Sequence, residues 1–269
     1  MSPSPRASAP LLALTRAVSA AIGRCALTHI PRAPIDLAAA RAEHAAYEAA
    51  LSALGATIMR LPEAPELPDA VFVEDTAVVL DRIAVIARSG EPSRRLETAA
   101  VAAALSAHRR LEAIEPPGTL DGGDVLRIGG RLFVGRSART NDAGIEQLGA
   151  AAAGEGLEVV PVAVRGCLHL KSGISEVAPE TVLVNRAWID PAPFAGLALI
   201  DIDPAEPFAA NALRIGGAVI HAAHFPRTRA RLAAAGIRVL PVPQGELAKA
   251  EGGVTCGCLL VPAAAGALR

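Results

Sequence analysis

Cys256 stands in Gly252-Gly253-Val254-Thr255-Cys256-Gly257-Cys258, directly ahead of the apolar run Leu259-Leu260-Val261. Glycines on both sides let a ligand approach the backbone closely. A thiolate nucleophile needs that access, together with a nearby cation to lower its pKa. His169 lies between two leucines in Leu168-His169-Leu170-Lys171-Ser172 and would face away from them in an extended chain. An imidazole is the natural proton carrier near neutral pH. Asp121 and Asp124 bracket a tight turn, Asp121-Gly122-Gly123-Asp124. A carboxylate beside a histidine sets its tautomer and stabilises its charged form. Taken singly, each of these has a plainer reading: a small buried thiol, a hydrogen-bonded core histidine, a turn that merely needs Asp and Gly.

Asp69, Glu74 and Asp75 surround an apolar stretch in Pro68-Asp69-Ala70-Val71-Phe72-Val73-Glu74-Asp75. Acids beside Val and Phe are costly to bury unless a cation neutralises them, and a planar guanidinium matches such carboxylates. Arg94 and Arg139 each follow a pair of expected strands, and either could hold a substrate carboxylate through a bidentate pair. Metal ligation has weaker support. Cys256 and Cys258 have no second cysteine pair to complete a zinc site, and His221 and His224 fall in a strand-to-turn region and read as structural.

An internal repeat supplies the elements that would position these residues. Leu126-Arg127-Ile128-Gly129-Gly130 recurs as Leu213-Arg214-Ile215-Gly216-Gly217. Each copy is followed by a short apolar strand, an Arg-Thr pair, an Ala/Leu-rich helix (143–153 and 226–235) and a Val-x-Pro-Val strand. Weaker forms of the same order run through 76–114 and 181–202. At the front, a strand at 25–29, a helix at 36–54 capped by Asp36 and ended by Gly55, and a strand at 57–61 make a unit lacking one strand. The run 255–261 could supply it by pairing back. Five ββαβ units closed by both chain ends predict an α/β ring of propeller type; an open α/β sheet is the alternative. The functional candidates sit at the opening of successive units, so a ring would bring them to its axis.

Composition narrows the function classes. The 269 residues carry 26 basic and 27 acidic side chains for a net charge of −1, with no block of like charge. Aromatic residues amount to 3%, so neither a phosphate-binding surface nor a base-stacking platform is expected, and nucleic acid is not a partner. No apolar stretch is long enough to span a membrane. The apolar run at 9–14 is too short for a secretory signal and Arg16 interrupts it, so residues 1–14 are read as a Pro/Ser-rich tail and 15–269 as one domain. Four scattered cysteines suggest reduced thiols in the cytoplasm.

Six stretches in order carry a family resemblance: 68–79, 92–95 (P-S-R-R), 120–126 (L-D-G-G-D-V-L), 134–141 (V-G-R-S-A-R-T-N), 168–172 (L-H-L-K-S) and 246–256. Together they resemble the dimethylarginine dimethylaminohydrolase family of the pentein, or guanidine-modifying, superfamily. The resemblance covers about residues 20–262. It implies a five-bladed α/β propeller with pseudo-fivefold symmetry and hydrolysis of Nω-methylated arginine to citrulline and methylamine or dimethylamine. It implies no cofactor, no metal, a small-molecule substrate as partner, and leaves room for a homodimer. Residue by residue, Cys256 resembles the nucleophile, His169 the acid/base and Asp121 its orienting carboxylate. Asp69, Glu74 and Asp75 resemble the guanidinium site, and Arg94 and Arg139 the grips on the amino-acid carboxylate. Leu27 resembles a lid residue, and Ala250 a backbone contact to the substrate amine. In the family a second cysteine often follows the nucleophile directly; here Gly257 intervenes and Cys258 is a rival to Cys256. Other guanidine chemistry on the same fold, such as arginine deimination or amidino transfer, and a non-catalytic amino-acid-binding protein are the alternatives.

Overall fold

The computed structural model describes residues 11–263. The chain opens with β1 (Leu11–Arg16), makes a 3-10 turn at Ile22–Arg24, and enters α1 (Leu37–Ala53), which leads to β2 (Ala56–Leu61). Asp36 starts α1 by accepting the N–H groups of Ala38 (2.9 Å) and Ala39 (3.0 Å). Gly55, at φ +94°, turns the chain out of it.

Four units of one plan follow: an antiparallel hairpin, a helical crossover, and a third strand parallel to the second. They are β3 (Ala77–Val79), β4 (Ile83–Ile86), α2 (Thr98–Leu105), β5 (Arg110–Ala113); β6 (Val125–Ile128), β7 (Arg131–Arg136), α3 (Asp142–Ala153), β8 (Glu158–Ala163); then, after α4 (Leu170–Gly173), β9 (Ile174–Ala178), β10 (Thr181–Val184), a 3-10 turn, β11 (Ala198–Asp201); and β12 (Ala212–Ile215), β13 (Ala218–Ala222), α5 (Pro226–Ala234), β14 (Arg238–Val242). A short α6 (Gly245–Ala248) precedes β15 (Leu259–Pro262). The repeated Ile-Gly-Gly falls at the β6–β7 and β12–β13 turns, where Gly129 and Gly216 both take φ +57°. A two-residue hairpin loop requires that conformation, which glycine adopts without steric cost.

β15 pairs antiparallel with β1 (Leu12 opposite Val261), and β1 pairs parallel with β2, so the last strand completes the first unit. Five three-stranded sheets result, each with its middle strand largely buried, as expected for strands covered on both faces. The apolar core lies between neighbouring units. Phe133 of the third unit stacks on Phe194 of the fourth, 4.3 Å between ring centroids, and Tyr47 and Leu51 of the first pack with Ile220 and Val242 of the fifth. The first strands of all five units, β15, β3, β6, β9 and β12, line a cavity of about 220 Å³. That cavity marks the axis of a five-bladed α/β propeller.

Two expectations are corrected. The front strand is 11–16, not 25–29, and the run 11–14 is no tail: Ala13 and Leu14 are buried between β15 and β2. Its apolar side chains belong to the first blade, while 25–29 forms an excursion between β1 and α1. Residues 1–10 of the expected tail lie outside the described residues.

Candidate active site

Each blade enters its first strand through a turn at the same end of the axis, and those turns carry polar side chains. Asp75 lies in the 3-10 turn Val73–Thr76 before β3, Asp121 and Asp124 at Gly122–Asp124 before β6, and His169 caps α4 before β9. Asn211 precedes β12, and Cys256 precedes β15.

His169 is buried between acids. Its Nε2 lies 3.1 Å from Asp121 Oδ2, and its Nδ1 faces Asp75 Oδ1 across 3.7 Å, beyond hydrogen-bond length. Burial alone would lower the imidazole pKa, but Asp75, the Asp121 hydrogen bond and Asp124 outweigh it and push it up to about 9. The ring is therefore charged at neutral pH. Burial would raise Asp75; His169 and Arg94 instead hold it well below the usual carboxylate range. Ligand atoms of Asp75, Asp121 and His169 gather within 4.8 Å. The guanidinium of Arg94 bonds Asp75 Oδ2 (2.6 Å) and that of Arg139 lies 3.6 Å from Asp121 Oδ2, so this charge balance suits an imidazolium better than a metal ion.

Glycines make the crowding feasible. A Cβ on Gly123 would lie 2.7 Å from both Asp75 Oδ1 and His169 Nδ1, and one on Gly122 would strike Glu74 O at 2.0 Å. The Gly123 N–H also donates to Asp75 Oδ1 (3.0 Å).

Cys256 is half-buried at one wall of a cavity of about 220 Å³, with Gly252, Gly253, His29, Ile30 and Leu168 around it. The Gly253 N–H donates to its sulfur (3.3 Å). Burial, then the charges of Glu74 and Asp75, push its thiol pKa up, so the resting sulfur is protonated. Cys258 is fully buried and accepts the Tyr47 hydroxyl (3.1 Å); burial pushes it up to about 12. Cys256 lines the cavity bordered by His29, Ile30 and Leu168, whereas Cys258 points its buried sulfur at Tyr47 and borders only the axial cavity between the first strands.

The remaining expected residues divide. Asp69 accepts the Ala26 N–H (3.1 and 3.2 Å), beside Leu27. Ala250 is buried in one apolar cluster with Cys25 and Phe72, against which Leu27 and Cys256 pack. Glu74 is occupied by Lys171 Nζ (2.5 Å) and Thr255 Oγ1 (2.6 Å). Arg94 is not a free grip: besides Asp75, it bonds Glu97 (2.8 Å) and the Phe72 carbonyl (3.2 Å). Arg139 Nη1 and Asp121 Oδ1 are buried and make no hydrogen bond among the described residues, the state in which a polar group gains most from a ligand.

The N(G),N(G)-dimethylarginine dimethylaminohydrolase of Streptomyces coelicolor is 40% identical over 249 residues, spanning 91% of this chain and 94% of that protein. The enzyme of that name from Pseudomonas aeruginosa is 36% identical over 223 residues, spanning 82% and 88%. The chain belongs to the dimethylarginine dimethylaminohydrolase family. A solved structure of the Pseudomonas aeruginosa protein, a cysteine-to-serine variant complexed with citrulline, matches with a TM-score of 0.89 at 32% identity, over 94% of this chain and 100% of that one. No family model matches the chain.

The site also takes in residues to which the resemblance assigns no role: Asp124, already a candidate from its turn, and Lys171, Asn211 and Thr255. Asp124 accepts the Leu170 N–H (2.9 Å) and the hydroxyls of Ser137 (2.6 Å) and Thr140 (2.7 Å), and so fixes the short helix that His169 caps. Its place in the Asp-Gly-Gly-Asp turn was the signal. Lys171, Asn211 and Thr255 form a network around Glu74: Asn211 bonds the Thr255 N–H (3.0 Å), the Thr255 hydroxyl (2.9 Å) and the Lys171 carbonyl (3.0 Å). Lys171, two residues after His169, and Thr255, directly before Cys256, have local cues; Asn211 has none.

Proposed function

We propose that this protein hydrolyses Nω-methylated arginine to citrulline and methylamine or dimethylamine, with Cys256 as nucleophile and His169 as acid and base. The observation that carries the reading is the arrangement of a charged His169 on Asp121, with Asp75 alongside, at the propeller end where Cys256 meets a cavity. The names of the relatives support the substrate class.

The cationic guanidinium settles against Asp75 with its central carbon toward Cys256, while Asp69 holds the Ala26 backbone beside it. Glu74 remains on Lys171 and Thr255 and contributes charge. Arg139, with an unpaired N–H, takes the substrate carboxylate; Arg94 orients Asp75 and joins Arg139 only by exchanging partners. Leu27 and the backbone at Ala250 close over the amino-acid end. Placing a positive charge beside a raised thiol lowers its pKa, so binding expels the Cys256 proton to solvent. The thiolate attacks the guanidinium carbon. His169 gives its Nδ1 proton to the departing amine, and a thiouronium remains on Cys256. Neutral His169 then takes a proton from water, the resulting hydroxide attacks the same carbon, and the C–S bond breaks to release citrulline and thiolate.

Purified protein incubated with asymmetric dimethylarginine is expected to yield citrulline and dimethylamine in equal amounts; ammonia as the only amine would point to deimination instead. Cys256→Ala should lose at least about a thousand-fold in turnover while still binding substrate. Full activity in that variant would remove the assignment.

No helix among the described residues is long and apolar enough to cross a membrane. Cys25, Cys167, Cys256 and Cys258 are all free thiols, which supports a reducing, cytoplasmic setting.

A further inference from the structure

His29 and Ile30 line the cavity that opens on Cys256, and two carboxylates bind the segment 26–30 through its backbone alone. Asp69 takes the Ala26 N–H. Glu251 takes three in succession: Thr28 to Oε2 at 2.8 Å, then His29 and Ile30 to Oε1 at 2.5 and 3.0 Å. Successive N–H groups converging on one anion form a nest, and each bond is strengthened by the charge.

The backbone at Glu251 shows what this arrangement costs. Its φ is +58°, a left-handed conformation that crowds any Cβ and that glycine would adopt freely. Glycine follows at both of the next two positions, yet glutamate stands here. Its side chain bonds nothing else among the described residues. Strain kept at a site of this kind points to function.

Glu251 is also continuous with the nucleophile's loop. Gly252 N–H is tied to the Leu247 carbonyl (3.1 Å), Gly253 N–H to Cys256 Sγ, and Cys256 N–H back to Gly253 O (3.2 Å). Cβ atoms at Gly252 and Gly253 would strike Phe72 and Asn211 at 2.3 Å, so this loop is packed in place. In the segment 26–30, by contrast, Thr28 and His29 are exposed. His29, Ile30, Glu251 and Cys256 line one cavity.

We propose that Glu251 is a positioning residue that latches segment 26–30 over the Cys256 cavity, joining the lid to the loop that carries the nucleophile. This rests on the reading of Cys256 as nucleophile. Substrate enters with the latch open and the three N–H groups in water; closing restores the nest and separates the thiol from bulk solvent. The latch reads a backbone, so the side chains at 28–30 matter less than the carboxylate at 251.

The test uses Glu251→Gly, which removes the carboxylate and relieves the strained φ, and Glu251→Gln, which keeps an acceptor oxygen without the charge. Three readouts are taken on the full chain: thermal midpoint, alkylation of each cysteine by iodoacetamide followed by peptide mass, and steady-state kinetics with dimethylarginine. The glycine variant should keep or raise the thermal midpoint, alkylate Cys256 about five-fold faster or more, and show KM raised about ten-fold with a smaller change in kcat, since an open lid lowers the competent population. The glutamine variant should fall between it and the parent. An unchanged Cys256 alkylation rate in folded Glu251→Gly overturns the latch, as does a lowered midpoint with faster alkylation of Cys25, Cys167 and Cys258 as well, which would mean a general structural role. If the parent protein does not turn over dimethylarginine, the functional reading fails while the Cys256 alkylation ratio still decides the latch.

Discussion

His169 is charged at neutral pH because three aspartates surround it, against the pull of burial. Its folded pKa of about 9 lies above the value near 6.5 of an unfolded histidine. A raised pKa means that this group's contribution to stability is complete below about pH 6.5 and is lost as pH rises through about 9. Turnover should fall over the same alkaline limb, because a neutral ring cannot protonate the leaving amine. Asp124→Asn keeps the shape and an acceptor for Leu170 but removes one of the three charges. The expected result is an alkaline limb of kcat moved to lower pH with little change in KM, read from a pH–rate profile. An unmoved limb would mean that Asp124 acts only through packing. Asp124 itself is pushed up to about 6 by burial, with His169 and the two hydroxyls pulling the other way, so the profile is best compared above pH 7.

The turns that open each blade do the positioning, and their glycines are set by neighbours far away in sequence. Gly123→Ala would drive a methyl group into His169 and Asp75 at 2.7 Å. Misplacing an acid/base by a fraction of an ångström is expected to cost about a hundred-fold in kcat, while circular dichroism shows the helices and strands retained. Helix α1 offers the contrasting case. It carries no expected site residue, and its N-cap works locally, so Asp36→Ala should cost about 1 kcal/mol. That loss should appear as a thermal midpoint lowered by about 2–4 °C for a chain of this size, with kcat unchanged.

Closing five small sheets into a ring gives the protein cores between blades, since a three-stranded sheet buries little by itself. Phe133 and Phe194 fill the joint between the third and fourth blades, whose entry turns present Asp121 and His169. Phe133→Ala should cost about 3–5 kcal/mol, measured as a shift in the denaturant midpoint. Activity should fall in step with the folded fraction. Activity lost below the transition, where the protein is still folded, would show instead that the cavity moves the acid/base pair.

Much of this was legible in the chain. The repeated Leu-Arg-Ile-Gly-Gly marks two hairpins because a two-residue turn demands a positive φ, and alternating strand and helix signals order the blades. Cys256, His169 and Asp121 stand out in their glycine-rich or Leu-flanked settings, but it is the order of six motifs resembling one family that gives them roles. These signals depend on residues only a few positions apart. The choice of partners does not. Whether 11–14 or 25–29 made the first strand was decided by β15 arriving from the other end of the chain. That Arg94 spends its guanidinium on Asp75 as well as on nearby Glu97 follows from the second blade folding its entry turn back against the turn that carries Arg94. Glu74 meets Thr255 across 181 residues, and Glu251 meets Thr28 across 223. Local sequence sets which backbone conformations and side-chain chemistries are available; tertiary folding, within a blade and around the ring, sets which charges face one another, because Coulomb and hydrogen-bond energies depend on distance in space and not along the chain.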